Sequence, residues 1–340
     1  MKIVCEVELV DSPHLYQLYS GFIKLESLGI VSLKFIKNKT INKTLKPVIK
    51  VKVNKTINII YDLLDGFNWI PGTREENLKH FQTSCIDVDY YFKRSYNEEL
   101  LRYNLNNCKI MPLGLFYRVE KLDVFKNKLK VKARRVLEVL QMYEQKELRY
   151  EALPVFENLD SMLFTRLWDP NDVNSKTLKE ERELINFNRI ESIEACREKF
   201  GKYFSGGISD TPFARKTAKH LVLNQNLTNR RSYLMKLKET PINIVNLGLF
   251  GSTGGRFAES VAASRAIITE FMRYEVPGKF QEENNYLEFS GKDTLLEKVD
   301  LLLSSPEKVR SMMFENYKYY NTYLKPENLV LNSLLRIFHD

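Results

Sequence analysis

The sequence predicts an α/β protein of two Rossmann-like domains, each a parallel sheet with helices on both faces, the two facing across a cleft. Three observations carry this. Short apolar, β-branched runs alternate with stretches of helical periodicity. The alternation halts and restarts near residues 148–158. The chain has 340 residues, more than the roughly 250–300 at which a single core tends to split. The expected spans are 1–150 for the first domain, 151–320 for the second and 321–340 for a terminal helix.

In chain order, residues 2–9 read as a first strand and 13–28 as a helix. Three short strands follow at 30–36, 48–53 and 57–61. A helix is expected at 95–104 and a strand at 108–111, which Pro112-Leu113-Gly114 ends. A long charged helix is expected over 119–147. The pattern then restarts with a strand from Ser161 to Leu167 and a long helix at 178–200. Tyr203-Phe204-Ser205 reads as a strand stopped by Gly206-Gly207. A strand from Ile242 to Leu249 leads to a helix from about 255, then a strand at 266–269 and one at 286–289. Helices at 293–303, 305–323 and 326–338 close the chain. Alternation of this kind calls for parallel sheets, whose ligands bind at the carboxyl ends of the strands.

Apolar residues make up 44% and charged residues 28%, which are globular proportions. No apolar run approaches the ~18 residues of a membrane span. The acid-interrupted start Met1-Lys2-Ile3-Val4-Cys5-Glu6 lacks the apolar core of a signal peptide. Cys5, Cys85, Cys108 and Cys196 form no CxxC pair, so a reduced cytoplasmic chain without structural zinc is expected. Asn-Lys-Thr at 38–40, 42–44 and 54–56 spells a glycosylation acceptor but reads as polar turns. The net charge of +9 suits nucleic acid, an anionic membrane surface or a phosphate-bearing substrate. The densest basic stretches, 46–52 and 126–135, read as solvated faces.

The most informative stretch is GSTGGRFAESVAASRAIITE, residues 251–270. A strand runs into Gly251-Ser252-Thr253-Gly254-Gly255, and a helix starts at once. The first-turn N–H groups of a helix lack internal partners and its dipole is positive there. Glycines let a pyrophosphate approach that backbone. Arg256 adds a fork-shaped cation. Glu259, one turn in, has Arg256 three residues before it and so is no capping-box acid. It is placed to accept both hydroxyls of a ribose; alternatively it faces solvent and only complements the helix dipole.

Arg256-Phe-Ala-Glu259-Ser-Val-Ala-Ala-Ser-Arg-Ala-Ile-Ile-Thr-Glu270 resembles the donor-binding signature of GT-B glycosyltransferases. Many members carry a second Glu seven residues before the first; here that position is Ser252. The closer resemblance is to the spore-maturation-protein-like branch of the group 1 glycosyltransferases. Leu163-Phe-Thr-Arg166-Leu-Trp-Asp-Pro170 resembles the first strand and loop of the family's second domain, and Arg166 matches its diphosphate-binding basic residue. LLEKVDLLLSSPEKVRSMMFENYKYYNTYL, from Leu295, resembles its closing helices, of which a final one often crosses back to the first domain. Asp89-Tyr-Tyr-Phe-Lys-Arg-Ser-Tyr96 and Lys109-Ile-Met-Pro-Leu-Gly114 resemble first-domain segments more loosely. The resemblance implies a metal-independent enzyme with no cofactor beyond its donor. That enzyme would move a sugar from a nucleoside-diphosphate sugar to a hydroxyl acceptor, in the synthesis of cell-surface glycan or polysaccharide. Arg166, Thr253, Gly254, Gly255, Arg256 and Glu259 would hold the donor. The implied acceptor is a glycan, a lipid-linked molecule or a protein, with peripheral membrane association and no nucleic acid among the partners.

Glycosyl transfer needs the acceptor hydroxyl deprotonated. His14 follows the first strand, where related inverting enzymes place a base; otherwise it is structural. Asp62 and Asp65, in IIYDLLDGFNW, close a strand at its ligand end and read as base or acceptor ligands, or as turn acids. Asp87-Val88-Asp89 spells a D-x-D metal motif, but in the half that should not hold the donor. His80, His220 and His339 read as isolated. No Ser-His-Asp order, Walker loop, HExxH or full GxGxxG occurs. Two other classes stay open: a sugar-nucleotide epimerase of the same architecture, and a basic nucleic-acid-binding protein.

Overall fold

The computed structural model describes residues 3–37, 46–104, 107–120 and 150–339. The chain divides into two compact α/β units. One comprises Met1–Arg149, Glu275–Pro277 and Thr322–Asp340; the other comprises Tyr150–Tyr274 and Gly278–Asn321. The helix expected at 119–147, the basic run at 126–135 and the Asn-Lys-Thr motifs at 38–40 and 42–44 lie wholly or almost wholly outside the described residues.

The first unit holds β1 (Ile3–Leu9), α1 (Tyr16–Ser27), β2 (Val31–Lys37), β3 (Val48–Val53), β4 (Ile57–Asp62), α2 (Arg74–Ser84), β5 (Tyr90–Lys93) and β6 (Lys109–Pro112). Its sheet has the order β2-β1-β3-β4-β5-β6. All neighbours are parallel except β3, which runs against both β1 and β4. An all-parallel sheet was expected, and the reason for the difference is chain length. Three residues separate β3 from β4, whereas a parallel connection needs a dozen or more. Asn54 and Lys55 adopt φ of 50° and 65°, and Thr56 N donates to Val53 O at 3.1 Å, closing a hairpin turn. The third Asn-Lys-Thr motif is this turn.

The first unit's core gathers Val7, Leu18, Phe22, Tyr61 and Phe92 with Val330 and Leu334 of the closing helix, Pro326–His339. That helix lies close on α1. A Cβ on Gly21 would stand 2.1 Å from the Pro326 carbonyl oxygen, so only glycine admits this approach. Gln17, fully buried, donates to Leu324 O at 2.9 Å and accepts from Tyr117 N at 3.1 Å.

The second unit holds β7 (Ser161–Thr165), α3 (Lys176–Phe200), β8 (Phe204–Ile208), α4 (Pro212–Thr217), α5 (Gln225–Thr228), α6 (Arg230–Glu239) and β9 (Ile242–Val245). It continues with α7 (Gly255–Ala262), β10 (Ala266–Glu270), β11 (Tyr286–Phe289), α8 (Lys292–Leu303) and α9 (Pro306–Tyr319). All neighbours in its sheet are parallel, in the order β11-β10-β9-β7-β8. The order reverses between β7 and β9. Leu163, Ile193, Ile244, Ile268, Leu295 and Met313 belong to one core cluster. Gly206 and Gly207 do not stop β8 but lie inside it. A Cβ at the first would enter the Phe204 ring, and at the second the Leu223 side chain.

Candidate functional site

In an open parallel sheet, the strand-order reversal leaves a crevice at the carboxyl ends of the two strands where it occurs. In the second unit those ends are Thr165 of β7 and Val245 of β9. After β9 the chain folds into a tight turn. Gly248 N donates to Ser252 O at 2.7 Å and Ser252 N to Leu249 O at 3.2 Å. Phe250 and Gly251 both take positive φ, 60° and 63°. Glu181 on α3 pins the turn by accepting from Phe250 N at 2.5 Å. Burial pushes the Glu181 carboxyl pKa up, against the lowering effect of the backbone donors and Arg273. Helix α7 then begins on Gly254 and Gly255 with no side-chain cap and no acid in its first turn. A Cβ on Gly254 would meet nothing within 4 Å, so the backbone there is open to approach. The strand expected to run to Leu249 ends at Val245 because these turn residues leave it.

Three arginines converge here. Arg166 is exposed, and no hydrogen bond from its guanidinium is found among the described residues. Arg256 lies over the Tyr233 ring at 5.1 Å, with its Nη1 buried and unpartnered among the described residues. Arg189 of α3 is buried over Trp168, at 4.4 Å. Its Nη1 donates to Arg166 O at 2.6 Å and its Nη2 to Leu247 O at 3.1 Å. It therefore ties together the loops after β7 and β9. Burial, then Arg256, pulls the Arg189 pKa down to about 10. Leu247 N in turn donates to Glu270 Oε2 at 2.7 Å.

Glu259 is 3% exposed, which excludes the solvent-facing alternative. Its carboxylate accepts two bonds from Arg230 of α6, Nη2 to Oε1 at 2.8 Å and Nη1 to Oε2 at 3.3 Å. The Arg230 guanidinium lies over the rings of Tyr150 at 4.8 Å and Tyr233 at 5.8 Å. Burial first, then Glu259, raises the pKa of the Tyr233 hydroxyl. Nearby in the chain, both side-chain polar atoms of Asn246 and the Ser252 hydroxyl are buried without a partner among the described residues. Buried polar groups are nearly always paired, so a cluster of exceptions at one strand end marks a place where a ligand or water belongs.

The first unit places a second group of polar residues at the carboxyl ends of its strands. His14 follows β1, Asp65 follows β4 and Arg94 follows β5. Arg94 Nη1 donates to Asp65 Oδ1 at 2.8 Å, and its guanidinium lies 5.4 Å from the centre of the Phe116 ring. His14 packs on Phe116 with ring centroids 4.9 Å apart, and its Nδ1 is buried without a partner among the described residues. Burial, then Arg94, holds the imidazole pKa below its ordinary 6.5, against the opposing charge of Asp65. A neutral imidazole is the form a general base requires.

Asp62 does not join this group, which corrects its reading as a base. It is fully buried, and both oxygens are engaged. Oδ2 accepts from Trp69 Nε1 at 2.6 Å and from the Tyr91 hydroxyl at 2.7 Å; Oδ1 accepts from Leu64 N at 2.8 Å and Lys93 Nζ at 3.1 Å. That is a structural acid within the core. Asp87 and Asp89 precede β5, at the opposite end of the strand from its carboxyl edge, and Asp89 accepts from Asn58 N at 2.7 Å. Among the described residues no group of three or more His, Cys, Asp or Glu could hold a metal ion. His80, His220 and His339 are exposed, and His220 pairs with Glu194 at 2.7 Å.

Sequence reading missed Glu181, Arg189, Arg230, Tyr233 and Asn246. Arg230 and Tyr233 had a usable signal. Asn229 precedes Arg230-Arg231-Ser232-Tyr233-Leu234 and caps α6 by accepting from Ser232 N. Glu181 and Arg189 had none, since a charged position on a long helix reads as solvated surface.

No family model matches the sequence, and no curated protein does. Among solved structures, the chain is similar to a glycosyltransferase from Rickettsia africae at 13% identity and a TM-score of 0.41, covering 98% of this chain and 96% of that one. It is similar to HepE of Anabaena in complex with UDP at 7% identity and a TM-score of 0.44, covering 83% and 72%. A putative UDP-N-acetylglucosamine 2-epimerase from Listeria monocytogenes gives 13% identity and a TM-score of 0.40, covering 80% and 65%. At TM-scores below 0.5 these likenesses decide nothing about the site or its chemistry.

Proposed function

We propose that the chain is a GT-B glycosyltransferase, of the spore-maturation-protein-like branch of group 1, that moves a sugar from a nucleoside-diphosphate sugar to a hydroxyl acceptor in glycan synthesis. One observation supports this above others. At the strand-order reversal of the second unit, an uncapped glycine helix start lies beside Arg256 and one turn before a buried carboxylate. In this reading the diphosphate binds the first-turn N–H groups of α7. Thr253, Gly254 and Gly255 line it, while Arg166 and Arg256 neutralise it as it leaves. Glu259 accepts the ribose hydroxyls.

In the reaction, the bond from the anomeric carbon to the diphosphate oxygen breaks, and the diphosphate departs with the electron pair. A bond forms from that carbon to the acceptor oxygen, whose proton passes to a base. His14 is the base proposed here, with Asp65 held beside it by Arg94. The arginines and the helix start supply the positive charge a metal would otherwise bring, so turnover should persist in excess EDTA.

Calorimetry with nucleoside diphosphates and their sugar conjugates tests the reading. Glu259→Ala should weaken binding tenfold or more, as expected for loss of bonds contributing roughly 1.5–3 kcal/mol. Unchanged affinity would remove Glu259 from the donor site. Product analysis without acceptor separates transfer from epimerisation, because an epimerase converts its sugar nucleotide alone.

A further inference from the structure

We propose that Arg230 is a positioning residue for donor recognition: it fixes the Glu259 carboxylate so that the two lone pairs it leaves free face the vicinal hydroxyls of the donor's ribose. The inference rests on the donor reading above. Each carboxylate oxygen has two lone-pair sites. Arg230 takes one on each oxygen, at 2.8 Å and 3.3 Å, in the planar fork that only arginine provides. Beyond the Arg230 fork one acceptor site remains on each oxygen, the requirement of a cis-diol donating two hydrogen bonds. The buried Tyr233 hydroxyl, close to the same carboxylate, is a donor with which the diol would compete. The fork also fixes the plane of the carboxylate.

Arg230 is itself held. Its guanidinium contacts the Tyr150 and Tyr233 rings, and Tyr233 also contacts Arg256. Tyr150 opens the second unit and Tyr233 lies one turn beyond Arg230 on α6. The two rings thus orient a cation that orients the acid. Arg230 stays on Glu259 in this scheme and never touches the ligand.

The test compares ribose with deoxyribose. UDP, ADP and GDP are titrated by calorimetry, each beside its 2′-deoxy counterpart, against the wild type, Arg230→Lys and Arg230→Gln. The wild type should prefer the tightest ribonucleotide over its deoxy form by about tenfold or more. Arg230→Lys keeps the charge but loses the fork, and should bring that preference close to one with the deoxynucleotide affinity unchanged. Arg230→Gln, which loses both the charge and the fork, should do the same. Should Arg230→Gln fail to fold, Arg230→Lys alone decides. A preference retained in Arg230→Lys overturns the positioning role while leaving the donor site in place, and so does an equal loss of both nucleotides. If the wild type binds a ribonucleotide but does not prefer it, the Glu259–ribose contact fails. If it binds none of the three, the donor reading fails, and this inference with it.

Discussion

Asn246 concentrates the residue-scale chemistry of the second unit. Its amide is buried at the carboxyl end of β9 with neither donor nor acceptor used among the described residues. Leaving such groups unpaired costs about 1–3 kcal/mol. Asn246→Leu, of similar volume, should therefore raise the melting temperature of the ligand-free protein while weakening sugar-nucleotide binding. A lower melting temperature would mean the amide serves the fold through water. His14 offers a second test. Its folded pKa lies below the ordinary 6.5, so in the window below 6.5 the unfolded chain binds more protons. That part of the stability is present at neutral pH and is lost as the pH falls through 6.5 toward the folded value. Denaturant titrations of His14→Gln from pH 7.5 to 5 should show a flatter pH dependence than the wild type. Parallel curves would show that the imidazole does not sense its surroundings this way.

At the scale of elements, two opposing effects meet at Gly21 on α1. Alanine is the better helix former by roughly 0.5–1 kcal/mol. Its methyl would, however, overlap the Pro326 carbonyl oxygen at 2.1 Å, a backbone atom that cannot swing aside. Overpacking of this kind costs about 1–3 kcal/mol or more, so the clash wins. Gly21→Ala should lower the urea midpoint, and Gly21→Ser should do likewise. An unchanged midpoint would mean that the closing helix does not press on α1 in solution. The hydrogen bonds of Gln17 to Leu324 O and of the Tyr61 hydroxyl with Ser333 Oγ, at 2.7 Å, belong to the same packing.

At the scale of the whole molecule, Arg265 shows where the second unit can be cut. It is fully buried and meets no carboxylate among the described residues. Its guanidinium donates to the carbonyls of Leu153 at 2.5 Å, Ala263 at 2.6 Å, Lys238 at 2.9 Å and Val155 at 3.3 Å. Ser264 Oγ adds a bond to Ala152 O at 2.8 Å. The backbone of residues 152–155 is therefore fastened to the unit, although the Leu153 and Val155 side chains are exposed, and this stretch is not a loose linker. A fragment spanning 150–321 should stay soluble and bind a nucleoside diphosphate without catalysing transfer. A fragment starting at Leu159 strands the guanidinium without two acceptors and should precipitate. If both fragments behave alike in solubility and binding, the Arg265 clasp is dispensable.

Local chemistry in the chain determined much of the architecture. The period of the apolar residues announced nine of the eleven strands at nearly their positions and β8 to within a few residues, while β5, only four residues long, went unread. Gly254-Gly255 announced the helix start of the candidate site. Helix α2 was also legible, though passed over, because Thr73 and Glu76 form a reciprocal capping box. Other features were decided only by the tertiary structure. Asp62 and Asp65 stand three residues apart, one closing β4 and the other just after it, and look alike in sequence. One is sealed among Trp69, Tyr91 and Lys93, and the other, partly exposed, pairs with Arg94 beside His14. Arg189 and Arg230 reach the candidate site from helices far along the chain, one bridging two loops and the other gripping Glu259. Periodicity depends on neighbours a few residues away, so sequence carries it. The charge, protonation and orientation of a buried side chain depend on partners that only folding brings near, in this chain across separations of 29 residues for Arg230 and Glu259 and 58 for Arg189 and Leu247.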